Sequence, residues 1–128
     1  MAEYRCDHVH LRSADVEGAA AFYVDALGAR MDFRRDVDGV PRIGINLGGL
    51  TVFIDQVPDG TPSTPPPPFI GIEHLCLAVA GLEEAARDLK ARGVNFTVEP
   101  RQMRPGLRYA FIEGPDKVRI ELVDRTPA

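Results

Sequence analysis

The chain has no tryptophan and only two cysteines among its 128 residues. Cys6 and Cys76 are far apart in the sequence, so they form neither the paired spacing of a zinc knuckle nor a disulfide framework. Two isolated cysteines are typical of a reducing compartment. We therefore expect two reduced, mostly buried thiols in a cytoplasmic protein.

The sequence also lacks long apolar runs and an excess of positive charge. No apolar run is long enough to cross a membrane as a helix. The opening MAEYRC shows no basic region followed by an apolar one, the pattern of a signal peptide. Lys and Arg number 15 against 19 Asp and Glu, a net charge of −4. This balance argues against a nucleic-acid partner, and the chain length fits one globular domain.

An internal repeat with an offset of 66 residues organises the sequence. Three pairs of segments align: DHVHL (7–11) with EHLCL (73–77), VEGAA (16–20) with LEEAA (82–86), and TVFID (51–55) with KVRIE (117–121). We interpret residues 1–128 as a single domain of two modules, 1–56 and 70–128. The proline-rich segment 57–69 joins them as a stiff linker.

Both modules predict the same order of elements, a strand, a helix and three strands. In the first module, Asp15 is the expected helix N-cap and Gly28 the left-handed C-terminal residue. Its strands are expected near 5–12, 30–36, 42–47 and 50–57. The second module predicts a helix near 82–92, ended by Gly93, and strands near 71–79, 94–99, 107–113 and 117–124. The fold class is therefore α+β, with two pseudo-symmetric β-α-β-β-β modules.

The three histidines raise the question of a metal site. His8 and His10 share one face of the first strand, because strand residues alternate between faces. The repeat aligns His8 with His74 and Asp55 with Glu121, so each module supplies one imidazole and one carboxylate. If curved sheets bring these strands together, the four side chains line a cleft. Such a donor set suits one divalent ion, Zn, Ni, Mn, Fe or Co.

Each of these residues also has an ordinary structural explanation. A single strand histidine is more often a core or surface residue than a ligand. Glu121 lies between two apolar residues of its strand, and in an exposed groove it could simply be solvated. The agreement of all four positions between the two modules favours a metal site over these separate explanations.

The sequence resembles the vicinal oxygen chelate superfamily, which includes the glyoxalases, over nearly its whole length. The motifs are DHVHLR and AFYVDALGA in the first half, and EHLCLAV and FIEGPDKVRIELV in the second. The resemblance implies paired modules forming a cleft around a divalent metal with ligands His8, Asp55, His74 and Glu121. It also implies proton transfer at Glu121 and Asp55, and Arg12 matches an arginine that grips the glutathione carboxylate. Asp55 has a short side chain, so it could bind the metal through water.

The resemblance implies a lyase, isomerase or epimerase of a small carbonyl or thioester substrate. A metal ion would stabilise an enediolate-like intermediate in such an enzyme. Two alternatives remain open, an Fe(II) ring-cleaving-type dioxygenase and a drug-sequestering protein of the bleomycin-resistance type. In proteins of this family two modules complete a cleft within a chain or across a dimer, and the join 57–69 is long enough for exchange between chains. We therefore also expect a homodimer whose cleft lies between modules of different chains.

Three further residues are candidate substrate contacts. His10 points to the same side as His8, so it could contact substrate or simply line the pocket. The basic segment PRQMRPGLR (100–108) could be a lid in which Arg104 and Arg108 meet an anionic substrate. It could equally be a solvated hairpin loop, the more common case for charged loops.

Overall fold

A computed structural model describes residues 1–126 of the chain. It divides the protein into two compact units, the first from Met1 to Pro62 and the second beginning at Ser63. Each unit contains one α-helix and one four-stranded mixed sheet. The predicted α+β class and the β-α-β-β-β order are therefore confirmed in both copies.

The first unit consists of β1 (Val9–Ser13), α1 (Val16–Leu27), β2 (Arg30–Val37), β3 (Val40–Leu47) and β4 (Leu50–Gln56). Its strand order is β1-β4-β3-β2, with β1 parallel to β4 and the other pairs antiparallel. The Asp15 carboxylate accepts a hydrogen bond from the Gly18 N–H and so caps α1. Gly28 ends the helix at a φ of 70°, as predicted.

Helix α1 covers one face of the first sheet. The buried apolar side chains of this layer include Ala19, Ala20 and Tyr23 from the helix and Ile43, Ile45, Val52 and Ile54 from β3 and β4. Since strand side chains alternate between faces, the intervening residues Phe53 and Asp55 point away from the helix. The first unit therefore has one sheet face free of its own helix for a functional site.

The second unit consists of β5 (Leu75–Ala78), α2 (Leu82–Ala91), β6 (Phe96–Arg104), β7 (Leu107–Glu113) and β8 (Arg119–Asp124). The strand order β5-β8-β7-β6 repeats that of the first unit. Asp124 caps α2, because its carboxylate accepts hydrogen bonds from the N–H groups of Gly81 and Leu82 at 3.0 and 2.9 Å. The pKa of the Asp124 carboxyl is lowered to about 2. The main cause is the hydrogen bond from the Thr126 hydroxyl, and the N–H groups of Leu82 and Thr126 add to it.

Several boundaries differ from the predicted ones. β1 begins at Val9 rather than near residue 5, and β5 begins at Leu75 rather than near residue 71. The loop predicted over 100–108 is wrong, because β6 continues to Arg104 and only Pro105 and Gly106 form the turn before β7. β6 is an edge strand, and charged residues are common there because they discourage pairing with other chains.

The described helices and cysteines bear on two further expectations. Within residues 1–126, no helix is both long and apolar enough to span a membrane. Cys6 and Cys76 are free thiols, as expected, but both residues are exposed. The prediction of mostly buried thiols is therefore wrong, since both cysteines lie outside the helix-covered layers.

Candidate metal centre

Asp55 is held by two cationic or ionisable side chains on the open face of the first sheet. Arg42 donates from Nε to Oδ1 at 2.6 Å and from Nη2 to Oδ2 at 3.0 Å. The Nε2 atom of His10 lies 3.0 Å from the same Oδ2. The hydrogen bond from Arg42 is the main reason that the pKa of Asp55 is lowered. The charge of His10 adds to this effect, while burial opposes it.

His8 lies just before β1 and has a different set of contacts. Its Nδ1 is 2.6 Å from the carboxylate of Asp7. Its ring stacks on Phe53 with the ring centroids 4.2 Å apart. No hydrogen-bond partner of its Nε2 occurs within residues 1–126. The imidazole is thus oriented from one side and has a free nitrogen on the other.

The second unit brings His74 and Glu121 together. His74 Nε2 lies 3.1 Å from Glu121 Oε1, and only 15% of the Glu121 side chain is exposed. The Nδ1 atom of His74 is bonded to Glu73, which also pairs with Arg119. Phe111 of β7 meets the His74 ring edge-on, with the centroids 5.0 Å apart. One nitrogen and one carboxylate oxygen therefore face each other in a partly buried setting.

The His74–Glu121 pair fits the coordination of a divalent ion. Bonds of about 2.0–2.2 Å from an ion to nitrogen and oxygen place neighbouring ligand atoms about 3 Å apart. Metal-binding imidazoles commonly use their second nitrogen to bond a carboxylate, which Glu73 provides for His74 and Asp7 for His8. These two acids are absent from the predicted ligand set, although each directly precedes its aligned histidine in the sequence.

Asp55 fits the coordination of an ion less well than Glu121. Both of its carboxylate oxygens are already bonded by Arg42, whose positive charge would repel a metal cation. The residue opposite Asp55 on the neighbouring strand is Arg42, whereas the residue opposite Glu121 is Phe111. The repeat thus supplies two carboxylates: Asp55 is bonded by an arginine, whereas Glu121 lies opposite Phe111, over which Arg119 lies at 4.6 Å from the ring centroid while pairing with Glu73.

The strand register also separates the two copies. Cys76 lies opposite Glu121, whereas its sequence counterpart His10 lies opposite Phe53, two residues before Asp55. As a result, His10 and not His8 lies next to Asp55. This contact corresponds to that of His74 with Glu121 in the second unit. The repeat alignment could not show this, because aligned residues alone do not define how far two parallel strands are shifted.

The other predicted contacts lie at separate places. Arg12 is opposite Asp55 and on the same sheet face. Arg104 ends β6 as an exposed residue. Arg108 lies on the helix side of β7 and pairs with Glu83 of α2, so it does not share the face of Glu121. Within the part of the chain that the structure describes, no cluster of three or more His, Cys, Asp or Glu forms a ready metal site.

Comparisons with known proteins place these contacts in context. The sequence model of the Glyoxalase/Bleomycin resistance protein/Dioxygenase superfamily matches residues 5–122. The chain is 28% identical over 123 residues to the uncharacterized protein YwkD of Bacillus subtilis, covering 92% of this chain and 94% of that protein. It is 26% identical over 133 residues to a probable chloroplastic lactoylglutathione lyase of Arabidopsis thaliana, covering 94% of this chain but only 35% of that protein.

A solved structure shares the fold. The fosfomycin resistance protein FosX of Listeria monocytogenes, complexed with Mn(II) and sulfate, superposes with a TM-score of 0.69 at 18% identity. The match covers 94% of this chain and 91% of FosX.

Proposed function

The chain belongs to the Glyoxalase/Bleomycin resistance protein/Dioxygenase superfamily, and from that membership we propose that it is a divalent-metal-dependent lyase, isomerase or epimerase. The proposed substrate is a small carbonyl or thioester compound. The observation that carries the proposal is the 3.1 Å separation of His74 Nε2 and Glu121 Oε1. Mn(II) in FosX and the lyase name of the Arabidopsis relative support it.

In this proposal His74 and Glu121 of the second unit hold the ion, and His8 of the first unit is proposed as a further ligand because it aligns with His74. His8 and His74 are the two imidazoles whose Nδ1 atoms are bonded to a preceding acid. Asp55 is assigned no direct bond to the ion, because Arg42 occupies both of its oxygens. A bound ion would supply a Lewis acid for the oxygen atoms of the substrate.

The chain's own residues would handle the proton. His10 and Asp55 form a hydrogen-bonded pair at 3.0 Å, and Arg42 fixes the carboxylate from the other side. Because its pKa is lowered, Asp55 is a weak base by itself and a better partner for an imidazole. We therefore assign proton transfer to His10, oriented by Asp55, with Glu121 as the carboxylate beside the ion.

Metal titration by calorimetry tests the ligand assignment. The wild-type protein, stripped of metal and titrated with Mn²⁺, should bind about one ion per site. His8→Ala, His74→Ala and Glu121→Gln should each weaken binding more than about tenfold, since each removes a ligand. Asp55→Ala should retain most of the affinity.

The matched control is Glu99→Gln. This variant removes the same charge as Glu121→Gln from an exposed residue that pairs with Lys90, and it should bind Mn²⁺ as the wild type does. A wild-type protein that binds none of Mn²⁺, Zn²⁺, Ni²⁺ or Fe²⁺ would contradict the enzyme and favour the drug-sequestering alternative. Equal losses in Glu99→Gln and Glu121→Gln would contradict the ligand set.

One observation also favours the dioxygenase as a second candidate. With Asp55 engaged by Arg42, the proposed ligands that remain are His8, His74 and Glu121. This is the ligand set of non-haem Fe(II) oxygenases, which leaves positions open for oxygen and substrate. Oxygen uptake by the Fe²⁺-loaded protein with a catechol would support this candidate, and its absence alongside isomerase activity would exclude it.

A further inference from the structure

Two neighbouring rows of side chains cross the open face of the first sheet. The strand register aligns one charged row over β1, β4, β3 and β2, namely Arg12, Asp55, Arg42 and Arg35. The adjacent row consists of His10, Phe53, Gly44 and Phe33. A positively charged row thus lies beside a mainly aromatic one.

The charged row carries more positive charge than its one acid can balance. Arg42 already neutralises Asp55, and within residues 1–126 neither Arg12 nor Arg35 makes an ion pair. Arg35 and Arg42 are direct cross-strand partners, and like charges in that position destabilise a sheet. The unpaired charges of Arg12 and Arg35 therefore remain available to a bound anion.

The aromatic row holds these cations in place. The guanidinium carbon of Arg35 lies 3.8 Å above the centroid of the Phe33 ring, and that of Arg42 lies 5.3 Å from the Phe53 centroid. Gly44 makes room for Phe33, because a Cβ atom at position 44 would lie 2.1 Å from the ring. Both guanidinium groups are thus oriented before any ligand arrives, which lowers the entropy cost of binding.

We propose that Arg35 and Arg42 bind the oxyanion group of a small substrate, either a carboxylate or a phosphate. Arg35 would offer its whole guanidinium fork, which matches the geometry of both groups. Arg42 uses Nε and Nη2 for Asp55 and keeps further N–H donors free. The identification of this ligand as the substrate rests on the proposed function, whereas the anion site itself does not.

NMR titration of the metal-free, ¹⁵N-labelled protein in EDTA tests the site. Benzoate and phenyl phosphate carry the two candidate groups, and benzamide is the neutral counterpart of benzoate. At least one anion should give saturable shifts at the Arg35 Nε–H and the Gly44 amide, and the tighter of the two identifies the group. Arg35→Gln should weaken that binding about tenfold, as expected for a lost charge-assisted hydrogen bond. Arg35→Lys should weaken it less.

Arg34→Gln is the matched control. Arg34 is the next residue on β2 but pairs with Glu17 of α1, Nη2 to Oε2 at 2.6 Å, on the opposite face. The same charge loss there should change binding less than about twofold, since only a screened long-range effect remains. Equal weakening by both variants, equal binding of benzamide, or no saturable shift with either anion would overturn the proposal. These outcomes do not depend on the Mn²⁺ titration, so the anion-site proposal and the metal-site proposal can be refuted separately.

Discussion

Replacement of Gly44 by alanine should destabilise the first unit through the ring of Phe33. The added Cβ would lie 2.1 Å from Cε1 of that ring and 2.5 Å from Cζ, closer than atoms in a folded protein approach. The ring must therefore move. It would then lose its edge contact with Phe53, now at a centroid distance of 5.5 Å, and its contact with the Arg35 guanidinium at 3.8 Å.

The size of the effect follows from these two contacts. An aromatic pair contributes about 0.5–1.5 kcal/mol, and an exposed cation–π contact about 0.5–1 kcal/mol. Alanine in a strand is more favourable than glycine by about 0.5–1 kcal/mol, because an alanine residue loses less conformational freedom on folding. This gain offsets part of the lost contacts. The expected net loss in the free energy of unfolding is about 1 kcal/mol.

A double-mutant cycle with Phe33→Leu isolates the ring. In the wild-type background Phe33→Leu removes both contacts, whereas in Gly44→Ala they are already lost. The two changes should therefore show a coupling energy of about 1–2.5 kcal/mol, the sum of the two contacts. Urea unfolding followed through NMR signals of β3 and β4 reports the unfolding of the first unit. A Gly44→Ala variant as stable as the wild type, with additive effects of the two substitutions, would refute the role of the close contact.

Three further predictions concern the candidate site. Arg42→Phe, which copies Phe111 at the opposite position of the second unit, should free Asp55. Asp55→Ala should then weaken Mn²⁺ binding about tenfold in this background but little in the wild type, and equal losses by calorimetry would contradict this. Although Cys76 is an exposed residue, partial burial of its thiol, followed by the hydrogen bond and the charge of Glu121, raises the pKa of Cys76 to about 11. Since only the thiolate reacts, iodoacetamide should modify Cys76 of the metal-free protein roughly 200-fold more slowly at pH 8 than an ordinary thiol. The rate should still rise above pH 10, and a plateau near pH 9 by mass spectrometry would refute the shift. The proposed homodimer should have about twice the chain mass of 14.0 kDa by light scattering, and a monomer at micromolar concentration would contradict it.

The order of elements could be predicted because it rests on local signals. Asp15 and Gly28 mark the ends of α1 through side-chain capping and left-handed backbone freedom, which depend only on nearby residues. The repeat then transferred the same order to the second half. The end of β6 could not be predicted in this way. Residues 100–104 are rich in charge, and charged residues are typical of exposed loops as well as of edge strands.

The candidate site was predictable as residue types but not as contacts. His74 and Glu121 were paired from the repeat, and their atoms lie 3.1 Å apart. The same repeat alignment paired His8 with Asp55, whereas in the structure His10 contacts Asp55. The difference arises from a two-residue change in the register of a parallel pair, which depends on packing across the whole sheet.

The asymmetry of the two carboxylates has its origin in neighbouring residues rather than in the carboxylates themselves. Asp55 and Glu121 occupy the same place in the repeat, and each is bonded to an imidazole nitrogen. Arg42 lies opposite one and Phe111 opposite the other. A guanidinium fork satisfies both oxygens of a carboxylate and cancels its charge, whereas an aromatic ring leaves charge and lone pairs available. The arginine opposite Asp55 is therefore one difference that sets the two aligned carboxylates apart, and the shift in register that brings His10 to Asp55 is another.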